Sequence, residues 1–293
     1  MKNILVILGN GFDLDLGLRT RYSDFWLSKQ HIINKVRIVD KDGYHKLIPP
    51  MVNYIPRYLS SCWFDFEEAF RWYASSTIKR NYETTMESIS HLGGLLYENH
   101  EANIKYYNVT RRELIKFLTT QQNRKRLKKN SIAAQFLREL ADSQDTINIC
   151  TLNYTNPNDF AEKLGILQKF NVEYIHGSLK EKNIVLGVGE DQVYSGYEFL
   201  YKNEQGAKKF QLKQQLYQAD EVIFFGVGFG YNDIHYFKEF FQNIISHQHK
   251  TKLTIYTYNE KEANNIDQRL RSQGISVDSL CCHANLKFRF TSK

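Results

Sequence analysis

The sequence predicts an α/β protein with a Rossmann-like parallel sheet flanked by helices and a helical insertion. Three observations lead to this prediction. Several short apolar runs each end in a break rich in glycine or asparagine, and stretches with helical spacing of apolar residues follow those breaks. A long segment between the first run and the others lacks strand-like alternation. Strands that alternate with helices are typical of parallel sheets.

The first predicted strand is Ile4–Leu8, and the loop of residues 9–13 follows it. A wholly apolar run that ends at glycine is typical of a buried parallel strand. Glycine lets the backbone turn sharply and approach a phosphate, which backbone N–H groups bind. The expected nucleotide contacts are Gly9, Asn10, Gly11, Phe12 and Asp13. A glycine turn with a capping aspartate is the alternative interpretation of this loop.

The segment 56–140 has no strand-like alternation and almost no glycine or proline, so we interpret it as a helical insertion. Residues 1–55 and 141–293 then form the Rossmann-like nucleotide-binding domain. The insertion carries a basic run, Arg124–Lys129 (RKRLKK). A solvated helix face is the ordinary explanation for it. Nucleic acid stays open as a partner with weak support, because aromatic side chains between the cations would be expected for such a site.

Two further strand ends carry polar groups that could act on a ribose. Asn153 follows the run Ile147–Leu152, and its amide can both donate and accept hydrogen bonds. An asparagine-rich turn is the alternative there. His176 follows Val172–Ile175 and precedes a glycine. Imidazole exchanges protons near neutral pH, so His176 is a candidate general base, although a structural role is equally open.

The later strands complete the predicted sheet. Glu221–Phe225 ends at the glycine-rich loop Gly226–Gly230, and Leu253–Tyr258 forms the following strand. Ligands of parallel sheets lie beyond the carboxyl ends of the strands. The additional nucleotide contacts that we expect here are Gly226, Gly228 and Asp233. A helix cap is the alternative role for Asp233.

Composition narrows the class of protein. The 293 residues carry a net charge of +7, which allows an anionic ligand or a polyanionic partner without requiring either. None of the four cysteines forms a CxxC pair, so we expect no metal site. We expect no leader peptide, because the N-terminus runs directly into a predicted strand, and no apolar run is as long as the ~20 residues of a membrane span. We therefore expect a cytoplasmic protein without a membrane partner.

The motifs resemble those of the AbiH family, bacterial abortive-infection proteins that act against phage. The string GNGFD at residues 9–13, with Gly17-Leu18 and Tyr22–Phe25, is similar to the signature of that family. Trp63–Glu67 resembles its helical W-x-D-x-E element. The later matches to the family are Thr151–Thr155, His176-Gly177 and Gly226–Asp233.

The order of these motifs also resembles, more distantly, the SIR2 superfamily of NAD-consuming enzymes. That resemblance implies a SIR2/DHS-type sheet, NAD as the ligand, and Asn153 and His176 as catalytic residues. Asp13 stands where that family has serine, and Tyr154-Thr155 lack the acidic residue that usually follows the asparagine. Zinc-binding cysteines of the deacetylases are absent, so NAD cleavage without a peptide substrate fits better.

These observations lead to one function prediction and one alternative. The predicted function is an antiphage effector that binds NAD, acts as an NAD glycohydrolase on the nicotinamide–ribose bond and depletes NAD in infected cells. The alternative is a nucleotide-binding sensor or a nucleic-acid-targeting effector without NAD turnover. Asp65 and Glu67 with Asp13 would serve the metal-dependent form of that alternative. A phage-derived trigger and a homo-oligomer are the other partners that we consider.

Overall fold

The computed structural model describes residues 1–39, 46–47, 67–71, 89–188, 197–202, 209–247 and 249–292. Asp65 and most of the W-x-D-x-E element lie outside these ranges. The chain forms two compact units. One consists of Met1–Thr20, Leu118–Asn183 and Ala207–Lys293, and the other of Arg21–Phe117 and Ile184–Gly206. The domain boundaries predicted from the sequence stay a prediction.

Strands and helices are numbered here in chain order. The strands are β1 (Asn3–Leu8), β2 (Ile38–Val39), β3 (Lys46–Leu47), β4 (Thr146–Thr151), β5 (Asn171–Tyr174), β6 (Glu221–Phe225), β7 (Lys252–Thr257) and β8 (Lys287–Phe290). The first five helices are α1 (Asn10–Asp15), α2 (Tyr22–Ile33), α3 (Ile89–Gln122), α4 (Ile132–Asp142) and α5 (Pro157–Lys163). The others are α6 (Lys209–Gln218), α7 (Tyr231–Ile234), α8 (Lys238–Ile245), α9 (Glu260–Ser272) and α10 (Val277–Ala284).

The first unit contains a six-stranded sheet in the order β5-β4-β1-β6-β7-β8. Every neighbouring pair in it is parallel. The α/β fold predicted from the sequence is therefore confirmed. The chain leaves β1 toward β4 and β5 on one side and later returns to β6, β7 and β8 on the other. The order thus reverses between β1 and β6, where doubly wound sheets open a crevice for ligands.

The two faces of the sheet bury two apolar cores, because successive side chains of a strand point to opposite faces. Along β1, Ile4, Val6 and Leu8 join the core that contains residues of α1, α4 and α5. Leu5 and Ile7 join the core that contains residues of α6, α8, α9 and α10. Because helices cover both faces of the sheet, β1 is almost completely buried, and packing on both sides fixes the position of its carboxyl end.

The second unit contains the antiparallel pair β2–β3, helix α2 and much of α3. Residues 67–71 are also helical. There Glu67 forms an ion pair of 3.0 Å with Lys202, and both side chains are buried. The hydroxyl of Tyr107 donates to the carbonyl of Leu186 at 2.7 Å, which joins α3 to the segment after residue 184.

The basic run differs from the prediction of a helix. Helix α3 ends at Gln122 and α4 begins at Ile132, so residues 124–129 lie in the loop between them. Four residues, Leu127 to Asn130, separate the last arginine of the run from Ser131, the N-cap of α4. None of the helices in the described ranges is long and apolar enough to cross a bilayer.

Candidate functional site

The carboxyl ends of four neighbouring strands bring the predicted site residues to one edge of the sheet. Gly9 follows β1 directly, and Gly226 follows β6 directly. Asn153 lies two residues beyond Thr151, the last residue of β4, and His176 lies two residues beyond Tyr174, the last residue of β5. Thr151 and Tyr174 are paired in the sheet. The edge therefore runs His176, Asn153, Gly9, Gly226.

A buried carboxylate lies at the centre of this edge. Asp13, on α1, is 2% exposed. Its Oδ1 accepts a hydrogen bond of 3.1 Å from Asn153 Nδ2, and its Oδ2 accepts one of 2.7 Å from Thr155 Oγ1. Asn153 Nδ2 also donates to the carbonyl of Gly9 at 2.9 Å. Asp13, Asn153 and Thr155 form what we call the Asp13 cluster, which links the ends of β1 and β4.

Burial sets the protonation of this carboxylate. Removing an ionised carboxyl from water is costly, so burial raises the pKa of Asp13 to about 7. The hydrogen bonds from Thr155 and Asn153 stabilise the ionised form and oppose part of that effect. Asp13 therefore exchanges its proton near neutral pH, as an acid–base group in a catalytic site must.

The glycines of the two loops at the strand-order reversal allow the backbones to touch. Gly226 has a φ of +66°, and a Cβ on it would lie 2.4 Å from Gly11 Cα. A Cβ on Gly9 would lie 2.6 Å from Gly226 O. The amide of Gly9 donates to Phe225 O at 2.9 Å, and that of Gly11 donates to Gly226 O at 3.0 Å. The amides of Gly9 and Gly11, which we expected to hold phosphate, instead donate to the backbone at the end of β6.

Asn10 and Phe12 lie on opposite sides of helix α1, which begins where the sequence predicted a loop over residues 9–13. Asn10 is exposed, and its Oδ1 accepts a hydrogen bond of 2.5 Å from Thr20 Oγ1. Phe12 is fully buried, with its ring edge-on to Phe225 at 5.3 Å between centroids. The structure therefore leaves Asn10 accessible to a ligand and places Phe12 in the core.

His176 is buried beside a tyrosine. It is 4% exposed, and its Nε2 lies 3.0 Å from Tyr236 Oη. Gly177 follows with a φ of +74°, and a Cβ there would lie 2.2 Å from Asn183 O. The His-Gly pair therefore needs its glycine for the backbone turn that carries the imidazole. Ligand contact with His176 is restricted to the small accessible part of the side chain.

The remaining predicted contacts lie on the loop after β6. Gly228 is exposed, and its carbonyl accepts a hydrogen bond of 2.7 Å from Arg269 Nη1. Arg269, on α9, also pairs with Glu262 at 3.0 Å. Asp233 lies in the first turn of α7, whose N-cap is Gly230. The helix cap, which was the alternative role for Asp233, is thus taken by Gly230. The nucleotide contact predicted for Asp233 stays a prediction.

Sequence reasoning missed three residues of this edge as partners. Thr155 belongs to a family motif and lacks an acidic group, and neither property indicates that its hydroxyl donates to Asp13. Tyr236 and Arg269 lie 60 and 41 residues from the groups that they bond. No local pattern signals such distant pairs. Arg269 lies on α9, the helix that follows β7, and this position is the weak signal that could have suggested it.

Across the residues that the structure describes, no group of three or more His, Cys, Asp and Glu side chains could hold a metal ion. Glu67, which the metal-dependent alternative would use, is paired with Lys202 and accepts a hydrogen bond from the amide of Gly187 at 3.3 Å. Its carboxylate is therefore engaged within the protein.

Comparison with known proteins agrees with the motifs. A family model described as Bacteriophage abortive infection AbiH matches residues 5–256 of the 293. The matched range contains all the site residues predicted from the sequence. No curated protein matches the chain.

Proposed function

Because this chain belongs to the AbiH family of bacteriophage abortive-infection proteins, we propose that it binds NAD at this edge of the sheet and hydrolyses the nicotinamide–ribose bond. The family supports a role in abortive infection against phage. Loss of NAD in an infected cell would stop the metabolism on which phage replication depends. The observation that carries the proposal is the Asp13 cluster, which links the ends of β1 and β4 at this edge of the sheet.

The reaction needs a group that stabilises positive charge on the ribose. Water adds to C1′ of the nicotinamide ribose, the bond from C1′ to nitrogen breaks, and nicotinamide leaves as a neutral molecule with the bonding electron pair. The water loses one proton in the process. Positive charge develops on C1′ and the ring oxygen, and a carboxylate beside them lowers the barrier. Ionised Asp13 is the group for this role.

Asp13 also compensates for a departure from the SIR2-like pattern. The resemblance implies an acidic residue two positions after the asparagine, where this chain has Thr155. Thr155 instead donates its hydroxyl to Asp13 at 2.7 Å, and Asn153 donates to the same carboxylate at 3.1 Å. The carboxylate beside Asn153 is thus supplied by Asp13, on the helix that follows β1.

The pair of His176 and Tyr236 would take the proton of the water. If Nε2 carries the hydrogen and donates it to Tyr236 Oη, Nδ1 of the same ring is the acceptor. Tyr236 then fixes the tautomer and the ring orientation of His176. Its role is that of a positioning residue.

Negative charge on the dinucleotide needs partners at the rim of the site. The amides of Gly9 and Gly11 are engaged with Phe225 and Gly226. We assign the pyrophosphate to Asn10 and to the loop at Gly228, both exposed, with Arg269 as the nearby cation. A guanidinium forms paired hydrogen bonds with phosphate oxygens.

One observation favours the alternative of nucleotide binding without turnover. Asp13 and His176 are 2% and 4% exposed, whereas Asn10 and Gly228 are open. A nucleotide held at the rim would leave the two buried groups untouched. Binding and cleavage must therefore be measured separately.

The test uses the purified chain with NAD. Binding is followed by calorimetry and cleavage by chromatographic release of nicotinamide, with and without lysate from phage-infected cells. We expect wild type to release nicotinamide and Asp13→Asn and His176→Ala to lose at least about 100-fold of that rate. The matched controls are Asp142→Asn and His283→Ala, which replace exposed side chains of the same types.

Three outcomes decide between the two functions. Release of nicotinamide that depends on Asp13 and His176 supports NAD hydrolysis. Binding without release, together with phage protection that survives His176→Ala, supports the sensor. If wild type protects cells from phage yet neither binds nor consumes NAD in any of these conditions, the dinucleotide site is refuted.

A further inference from the structure

A second charged feature of the first unit is independent of the candidate NAD site. Five cations lie within the six residues Arg124–Lys129, and all five are exposed. They lie in the connection between α3 and α4, not on a helix face that would spread them apart. We call this connection the basic loop.

Hydrogen bonds hold the backbone of the basic loop in place. The amide of Lys128 donates to Leu16 O at 2.9 Å, and the amide of Ser131 donates to Lys128 O at 3.0 Å. Arg138, on α4, donates to Lys129 O at 3.1 Å. The aliphatic part of Lys128 covers Gly17, where a Cβ would lie 3.0 Å from Lys128 Cγ. The charged side chains therefore project from a backbone that these hydrogen bonds hold in position.

The basic loop forms one wall of an open groove of about 820 Å³. Lys125, Arg126, Lys128 and Lys129 line it, and Asp15 is the acidic residue among its lining residues. Asp15 Oδ2 accepts a hydrogen bond from the amide of Ala133 at 2.7 Å, so that carboxylate is committed to the start of α4. With four cations and one carboxylate in its lining, the groove carries an excess of positive charge.

In the part of the chain that the structure describes, no salt bridge involves residues 124–129, although Lys128 attracts the carboxylate of Asp15 and opposes the burial that raises its pKa. The salt bridges found there involve other lysines and arginines, such as Lys213, Lys252 and Arg271. Like charges held this close repel one another. An anionic partner would relieve that repulsion. Four cations in the lining of one groove suit a row of phosphates better than a single phosphate.

We propose that the groove beside the basic loop is a docking surface for duplex nucleic acid, held through its phosphate backbone. The lining includes no aromatic side chain for stacking on unpaired bases. Its apolar residues, Leu127 and Ile132, are half-buried and pack against the core, so they offer no wedge for a lipid surface. Contacts to phosphates alone make such binding insensitive to base sequence.

Counterion release makes the proposal quantitative. Each neutralised phosphate contributes a slope of about −0.9 to the plot of log affinity against log salt. Four lining cations predict a slope of about −4 and a loss of roughly 100-fold in affinity between about 50 and 200 mM salt. Base sequence should change the affinity little.

The test measures fluorescence anisotropy of a labelled duplex of about 20 base pairs across that salt range. The test variant replaces Lys125, Arg126, Lys128 and Lys129 by glutamine. The control variant replaces Lys169, Lys180, Lys250 and Lys261, which are exposed cations outside the groove. Four charges are removed from +7 in both, leaving +3, so the two variants have equal net charge. A double variant, Lys125→Gln with Lys129→Gln, keeps the test valid if the quadruple variant misfolds.

We expect the groove variant to lose at least about 30-fold in affinity and to flatten the salt slope, while the control loses about threefold or less. Equal losses in the two variants would show that net charge alone drives binding and would overturn the proposal. Absence of duplex binding by wild type would overturn it too. Binding to phosphatidylserine vesicles, lost in the groove variant without duplex binding, would assign the surface to membranes instead.

Discussion

The buried carboxylate of Asp13 makes the stability of the protein depend on pH in a defined direction. Its pKa rises from 3.8 to about 7 on folding because burial removes the ionised carboxyl from water. The folded state therefore binds a proton that the unfolded state has released. That proton stabilises the fold fully below the unfolded pKa, and the stabilisation is lost as pH rises through about 7.

The magnitude follows from the two pKa values. With 3.8 unfolded and about 7 folded, the contribution of Asp13 falls by about 2–3 kcal/mol between about pH 5 and about pH 8. Asp13→Asn keeps the shape of the side chain and cannot titrate. Its oxygen still accepts from Asn153, and its amide group can donate to Thr155 Oγ1, so the cluster is retained. The free energy of unfolding of this variant should therefore not show the fall with rising pH that Asp13 causes in wild type.

Urea unfolding of wild type and Asp13→Asn at fixed ionic strength, from about pH 5 to about pH 8, measures this directly. The free energy of unfolding of wild type should fall relative to the variant by about 2–3 kcal/mol over that range. Asp142→Asn, at an exposed carboxylate, should follow wild type. If Asp13→Asn shows the pH dependence of wild type, Asp13 does not titrate in the folded protein near neutral pH and the reasoning is refuted.

Three further perturbations test other parts of the fold. Gly226→Ala places a Cβ on a residue with a φ of +66° and against Gly11, so the free energy of unfolding in urea should drop by at least about 2 kcal/mol. The control is Gly230→Ala, whose Cβ would meet nothing within 4 Å and which should cost under about 1 kcal/mol. Tyr236→Phe removes the partner of His176 Nε2 and should cost about 1–2 kcal/mol in urea unfolding; an unchanged midpoint would show that the pair contributes nothing. In the second unit, Lys202→Met removes the cation that pairs with buried Glu67 and should lower the free energy of unfolding by about 3–5 kcal/mol. The double variant with Glu67→Gln should recover part of that loss. Additive losses in the double-mutant cycle would contradict a coupled pair.

Much of the fold could be predicted because its signals are local. The apolar runs at Ile4–Leu8 and Glu221–Phe225 match β1 and β6, and the glycines mark the strand ends where the observed loops begin. Buried parallel strands need near-continuous apolar residues whatever surrounds them. The positions of Asn153 and His176 beyond their strands followed from the same pattern. The predicted helix failed at residues 124–129, where charge alone gave no sign of the loop.

By itself the sequence determined where strands end and which polar groups stand there, since both depend on residues that are neighbours in the chain. Only the tertiary structure decided which of those groups meet. Asp13 joins Asn153 and Thr155 across 140 and 142 residues. Instead of remaining open for phosphate, the amide of Gly9 donates to Phe225 at the end of β6 and that of Gly11 donates to Gly226 just after it. Such pairs depend on strand order and register, which arise from the packing of the whole sheet and are not encoded in any short segment.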